Sequence, residues 1–301
     1  MKKLSLLILL GFFSTALFAQ NNFLLYSFKG NVTVIENKVE SKAKVGKPLN
    51  STATVKVPAG SMVTLICNEA AMFTLAKAGT YQLAKLGDSC KAVGNSVSAN
   101  YVKYVWNQMT ATGSSSGSDR KKYMSTVGAV SRDLRNIWID PKLDTVNYSS
   151  GEFWLSWKCY NPDTKEFDFY VYPHDNITSP LVKTTVDKLK VAIPTFTAKL
   201  KPGNSYFWTA SEKGAEDEDV AMKVLNYVPT ETYEAFLKTL KAQAGAFEAP
   251  AEEAYRLAFM LEDARYLAEA YSYYTKAATL DPKNVLYRST LMSFKKDYEI
   301  K

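Results

Sequence analysis

Residues 251–282, which read AEEAYRLAFMLEDARYLAEAYSYYTKAATLDP, contain the strongest structural signal of the chain. Apolar residues recur there every three or four positions, and this spacing predicts two amphipathic helices, one over residues 251–262 and one over residues 264–280. Pro282 follows the second helix closely and favours its termination. The stretch therefore predicts two helices joined by a short turn.

Eight residues of this pair have the size pattern of a known repeat: Ala254, Leu257, Ala258, Leu261, Ala270, Tyr274, Ala277 and Pro282. The pair is similar to a tetratricopeptide repeat, although Ala254 stands where that family has a large aromatic residue. The resemblance implies contact with another protein. Because one repeat cannot bury its own apolar face, we expect flanking helices over residues 232–246 and 285–298 to cover it.

In a tetratricopeptide-like repeat the partner would lie along the groove side of the first helix. Tyr255, Phe259 and Glu262 occupy that side and are our candidate partner-binding residues. The alternative is that these three side chains pack against the neighbouring β domain.

The first nineteen residues predict export. Met1-Lys2-Lys3 precedes an apolar run that ends at Phe13, and small residues follow up to Ala19. This order is typical of a signal peptide over residues 1–19, the alternative being a retained anchor. The expected location is the periplasm or the outside of the cell, with no transmembrane segment after cleavage.

Residues 22–95 predict a small all-β unit because short runs of β-branched residues alternate with Gly and Pro. Its ordered blocks include residues 30–34, 44–49, 57–65 and 79–81. These blocks resemble a FecR-like domain. A FecR regulator would begin with a cytoplasmic segment and a membrane helix, and this chain has a leader there, so the resemblance implies an envelope β domain more than a regulator.

Residues 96–136 are interpreted as a connection. Apolar residues spaced over Ala99 to Thr110 predict one short helix, and the composition of residues 112–118 is typical of a flexible Gly/Ser linker.

Residues 137–228 predict a second β unit, richer in aromatic residues. Residues 200–208, LKPGNSYFW, together with Leu155 and Trp157, resemble a fibronectin type III domain. That resemblance implies a β-sandwich in which the Tyr206 hydroxyl bonds back to the preceding loop. With the helical end over residues 229–301, the expected fold is multi-domain β plus α. The combination resembles exported proteins of Bacteroidetes.

The three cysteines suggest one bond. Cys67 and Cys90 fall within the same β unit. Because exported proteins can form disulfides, these two cysteines are our disulfide candidates. Closing that loop would stabilise the fold by roughly 3 kcal/mol. Two unpaired buried thiols are the alternative, and Cys159 is expected to be a free core residue.

The sequence contains few of the residue patterns that are typical of catalytic or metal sites. The single histidine, His174, has no second histidine or cysteine pair nearby, and the consecutive carboxylates over residues 216–219 lack the alternating spacing of a calcium loop. We expect no enzyme activity, no metal and no cofactor. Tyr170 and Tyr172 alternate with core positions of their strand, so they are possible exposed aromatics for a protein or glycan contact, the alternative being ordinary packing.

These observations favour a non-enzymatic binding or scaffold protein of the bacterial envelope that contacts another envelope protein through its C-terminal helices. The alternative is a polysaccharide- or cell-wall-binding accessory protein that uses its β domains. The formal charge of +7 is spread along the chain, which does not favour a nucleic-acid partner.

Overall fold

The computed structural model describes residues 22–69, 71–90, 97–110, 136–215, 222–243 and 248–300. The expected signal peptide, the Gly/Ser linker and the acidic residues 216–219 lie outside these ranges. The fold is multi-domain β plus α, and the chain divides into two compact units, Met1–Gly94 and Asn95–Lys301.

Eight strands are described in the first unit. They are β1 (Phe23–Lys29), β2 (Thr33–Glu36), β3 (Val39–Lys42), β4 (Pro48–Leu49), β5 (Thr54–Val57), β6 (Met62–Cys67), β7 (Ala71–Leu75) and β8 (Gly79–Gln82). They form two four-stranded antiparallel sheets, with strand orders β4-β1-β6-β7 and β3-β2-β5-β8.

The two sheets of this unit share one apolar core. Phe23 and Leu25 from one sheet and Val34 and Val55 from the other belong to the same buried cluster. Phe23 and Leu25 are two positions apart in β1, so they point to the same face of the sheet. Val34 in β2 and Val55 in β5 are each flanked by residues that are less buried.

A disulfide between Cys67 and Cys90 joins the end of β6 to the end of a 3-10 helix, Leu83–Cys90. This is the pair that the sequence suggested, and both cysteines are buried.

Nine strands are described in the β part of the second unit. They are β9 (Ile137–Trp138), β10 (Thr145–Tyr148), β11 (Trp154–Ser156), β12 (Lys158–Cys159), β13 (Phe167–Pro173), β14 (Val182–Val186), β15 (Lys190–Ala192), β16 (Ser205–Glu212) and β17 (Lys223–Tyr227). Five of them form a sheet in the order β10-β17-β16-β13-β14, and β11-β15 and β12-β9 form two small sheets.

Aromatic side chains fill the core of this part. The Phe169 ring lies 6.0 Å from Trp157 and 6.1 Å from Trp208, centroid to centroid, and all three are fully buried. Trp157 precedes β12 and Trp208 lies in β16, so the contact joins the small sheets to the large one.

The expected tyrosine contact is present. The Tyr206 hydroxyl accepts a hydrogen bond from the Lys201 backbone N–H at 2.7 Å and lies 3.2 Å from the Lys201 carbonyl, to which it donates. This contact holds the turn that leads into β16.

Five α-helices are described in the second unit. They are α1 (Val97–Thr110), α2 (Thr230–Ala242), α3 (Pro250–Asp263), α4 (Leu267–Leu280) and α5 (Val285–Asp297). The helix expected to start at residue 264 begins at Leu267 instead, because Arg265 adopts a left-handed φ of 65° that a continuing helix does not permit.

The strands and helices of the second unit are joined through β10. The Asn147 backbone N–H donates to the Arg265 carbonyl at 2.9 Å, and its side-chain amide donates to the Ala264 carbonyl at 2.9 Å. The turn between α3 and α4 is therefore held against the edge of the five-stranded sheet.

Candidate functional site

The three residues expected to bind a partner lie inside the protein. Tyr255 and Phe259 are 0 % exposed and Glu262 is 1 % exposed. Side chains without accessible surface cannot touch another molecule, so the assignment of a contact surface to these residues is wrong.

The groove side of α3 is occupied by α1. The Phe259 ring lies 5.0 Å from Tyr104, stacked, and 5.5 Å from Tyr101, edge to face. The sequence suggested that α1 was part of a connection, but the structure shows that it packs on α3. Helix α1 therefore covers the side of α3 on which Tyr255 and Phe259 lie.

Three buried hydroxyl groups form hydrogen bonds beside the contact between α1 and α3. The Tyr255 hydroxyl lies 3.1 Å from that of Tyr104 and 2.9 Å from that of Thr290, and the last two are 3.2 Å apart. Burial raises the pKa of Tyr255 well above its ordinary value of 10, so this phenol stays protonated. The cluster joins α1, α3 and α5 through neutral hydrogen bonds, which suits a structural role.

The buried charges of α3 are also satisfied. The Arg256 guanidinium donates to both carboxylate oxygens of Glu248, at 2.7 and 2.9 Å, and to the Leu240 carbonyl at 2.8 Å. Glu262 accepts hydrogen bonds from the hydroxyls of Tyr274 at 2.9 Å and Tyr298 at 3.2 Å. These charged groups hold α2, α4 and the C-terminal residues to α3.

Glu269 of α4 is the buried acid with an unmatched oxygen. Its Oε1 accepts the backbone N–H groups of Ser149 at 2.7 Å and Ser150 at 3.0 Å, whereas its Oε2 has no hydrogen-bond partner among the described residues. Burial raises the pKa of Glu269 above its ordinary value of 4.5. The Glu269 carboxyl thus links the turn after β10 to α4, and its ionisation destabilises the folded protein because the charge is buried.

The outward side of α5 exposes apolar and basic side chains together. Val285 is 66 % exposed and Met292 70 %, and the cations of Arg288 and Lys296 lie on the same side of the helix. We call these four residues the α5 face. The opposite side of α5 buries Tyr287, Thr290 and Phe294, as expected for a helix that covers the repeat.

The α5 face was missed in the sequence because we assigned that helix only a covering role. The available signal was the separation of Val285 and Met292 by seven residues, two helical turns, with basic residues between and after them.

The aromatics expected on the sheet surface form a second candidate surface. Tyr170 and Tyr172 of β13 are half-buried and stack on each other at 6.0 Å. Phe207 of β16 pairs with Tyr172 across the strands, and the His174 ring stacks on Phe207 at 4.6 Å. We call Tyr170, Tyr172, His174 and Phe207 the aromatic strip.

A shallow cavity of about 330 Å³ lies at one end of the aromatic strip and is lined by residues 173–175 and 203–206. His174 is one of its walls. Within the described residues, no group of three or more His, Cys, Asp or Glu side chains is arranged to hold a metal ion. The thiol of Cys159 is free of a disulfide and lies 3.4 Å from the Asn161 carbonyl.

No protein-family model matches the chain, and no curated protein matches it. In the part of the chain that the structure describes, no helix has both the length and the apolar character needed to cross a bilayer.

Proposed function

We propose that the protein is an exported, non-enzymatic binding or scaffold protein of the bacterial envelope that holds another envelope protein through its C-terminal helices. The leader-like residues 1–19 support export to the periplasm or beyond. The contact surface we assign is the α5 face, in place of the buried residues of α3.

One observation carries this proposal: Val285 and Met292 are 66 % and 70 % exposed on a helix that buries Tyr287 and Phe294 on its opposite side. Exposed apolar side chains that share one side of an element favour a contact site over scattered surface residues. Leu280, which ends α4 and is 49 % exposed, is a further large apolar side chain on the exterior of the repeat.

The proposal is tested with the full chain and the double variant Val285→Ser/Met292→Ser. We expect the variant to lose its crosslinked protein partner in cells that produce the protein, while the folded state is unchanged. The matched control is Val39→Ser, because Val39 is 68 % exposed in the first unit and has the same side chain. Equal partner recovery by the double variant and the control would reject the α5 face as the contact.

A second function, binding of an envelope polysaccharide through the β part of the second unit, is favoured by the aromatic strip. Partly exposed rings side by side on a sheet provide flat apolar surface, and the adjoining cavity adds the polar side chains of Asp175, Asn204 and Ser205. Titration calorimetry of the full chain with isolated envelope polysaccharide, compared with Tyr172→Ala, tests it. Binding that is weakened in the variant would support this function over the first.

The three family resemblances are proposed relationships of parts of the chain. The Tyr206 contact with Lys201 supports the fibronectin type III-like relationship. The packing of Ala258, Ala270 and Ala277 without exposed surface supports the tetratricopeptide-like one. The two packed sheets of residues 23–82 support the FecR-like one.

A further inference from the structure

We infer that the partner segment that lies on the α5 face is an acidic amphipathic helix. This inference rests on the proposed function and adds to it the chemistry of the partner.

The charge of the α5 face favours an acidic partner. Arg288 and Lys296 lie on the face and Lys295 lies beside it, and none of the three forms an ion pair with a described residue. Two acids at the end of the helix face other cations: Asp297 faces Lys142 at 3.9 Å, and Glu299 faces Lys158 at 3.8 Å. Cations that the fold leaves unpaired beside apolar side chains complement carboxylates on the partner.

The spacing of the apolar residues fits a helix. Val285 and Met292 are seven residues apart on a straight helix, roughly 10 Å along its axis. A second helix packed alongside repeats its own apolar positions at the same interval. A partner helix with apolar residues seven positions apart and flanking acidic residues would therefore contact both the apolar and the basic side chains of the α5 face.

A second copy of this chain does not fit the same face. A two-fold contact brings the same surface of each copy together, so the cations of Arg288 and Lys296 on one copy would face the same set of cations on the other. Like charges in contact oppose association. A membrane surface fits less well than a helix, because membrane-bound amphipathic helices insert large apolar residues such as Trp, Phe and Leu, whereas this face presents one Val and one Met.

The test places a photo-reactive phenylalanine analogue at position 292 of the full chain and, as the control, at position 39. After illumination of producing cells, the peptide attached at position 292 is identified by mass spectrometry. We expect a segment of net negative charge with apolar residues at intervals of three, four and seven. A neutral or basic segment, or attached lipid, would overturn the inference while leaving a contact at α5 in place.

A charge reversal gives the second readout. Arg288→Glu/Lys296→Glu is expected to lower the crosslinked yield at position 292 roughly tenfold, with Arg288→Gln/Lys296→Gln intermediate. Circular dichroism checks that both variants fold. Unchanged yield in the reversed variant would overturn the acidic partner, whereas absence of any protein crosslink above the position 39 control would reject the proposed function itself.

Discussion

Helices α3 and α5 belong to the same helical end and bury very different shares of their surface. All nine residues from Ala254 to Glu262 in α3 are buried, including a charged arginine and a glutamate, whereas α5 buries Tyr287, Thr290 and Phe294. The difference shows that the largest aromatic residues of the repeat serve packing. The surface available to a partner lies on the last helix, where no further element of the described chain covers the outward side.

The origin of the difference is α1. A single helix pair cannot bury both of its faces, and this chain supplies the missing neighbour from a segment about 150 residues upstream of α3, whose hydroxyl contact joins Tyr104 to Tyr255. One side of the pair is thereby closed by α1, and α5 closes another. The outward side of α5 is left for solvent or for a partner.

The largest expected loss of stability comes from a substitution that disrupts the packing of α3. Phe259→Ala removes the ring that contacts Tyr101 and Tyr104 and leaves a cavity, so we expect the free energy of unfolding to fall by about 3–5 kcal/mol. Urea denaturation followed by circular dichroism measures it. The matched change on α5 is Met292→Ala, which removes an exposed side chain and is expected to cost about 0.5 kcal/mol or less.

A similar loss for the two variants would contradict the contrast between α3 and α5. A small loss for Phe259→Ala alone would mean that α1 does not cover the groove side of the repeat.

An intermediate effect concerns α4, which lies between the two helices in sequence. The pKa of Glu269 is raised in the folded protein by burial, so its ionisation opposes folding, and stability falls as the pH rises from about the ordinary value of 4.5 through the folded pKa. This single group contributes at most about 1.4 kcal/mol per pH unit in that window. The facing groups are Tyr148, Tyr233 and Tyr266, whose pKa values burial raises, with the Glu269 charge as the next cause.

Glu269→Gln removes the titration and keeps an oxygen for the N–H groups of Ser149 and Ser150. We expect the free energy of unfolding of the variant to decline less steeply with pH than that of the native chain, from about pH 4.5 upward. Urea titrations at a series of pH values measure the two slopes. Parallel curves would show that Glu269 does not titrate differently in the folded and unfolded protein.

The smallest expected effect is the stability of Val285→Ser. The side chain is 66 % exposed, so little packing is lost and the free energy of unfolding should change by about 0.5 kcal/mol or less. Thermal unfolding compared with Val39→Ser measures it. A loss above about 2 kcal/mol would mean that Val285 packs within the fold, which would remove it from the α5 face.

Local patterns in the sequence predicted much of the fold because they depend on near neighbours along the chain. The short runs of β-branched residues within residues 22–95 predicted strands there, and the resemblance of residues 200–208 to a fibronectin type III domain implied the Tyr206 hydroxyl contact before β16. The spacing from Ala254 to Ala277 predicted two close helices. Their boundaries differ by a few residues, since the backbone of Arg265 turns out of the helical conformation before α4 begins.

The candidate site was less predictable, because exposure depends on residues far away along the chain. Tyr255 and Phe259 look available in the helix pair alone, but Tyr101 and Tyr104 of α1 contact both rings or their hydroxyls, and Tyr287 of α5 also packs on Tyr255. Glu262 is buried by other neighbours: its carboxylate accepts hydrogen bonds from Tyr274 of α4 and from Tyr298, the residue after α5.

The sequence by itself determined the β plus α class and the presence of an amphipathic helix pair, because hydrophobic periodicity and turn residues act over a few positions. The tertiary structure alone decided which side of that pair is covered. Burial is set by contacts between segments about 150 residues apart, and no local period encodes them. For this reason the tertiary contacts moved the candidate contact surface from the large aromatics of α3 to the modest Val285 and Met292 of α5.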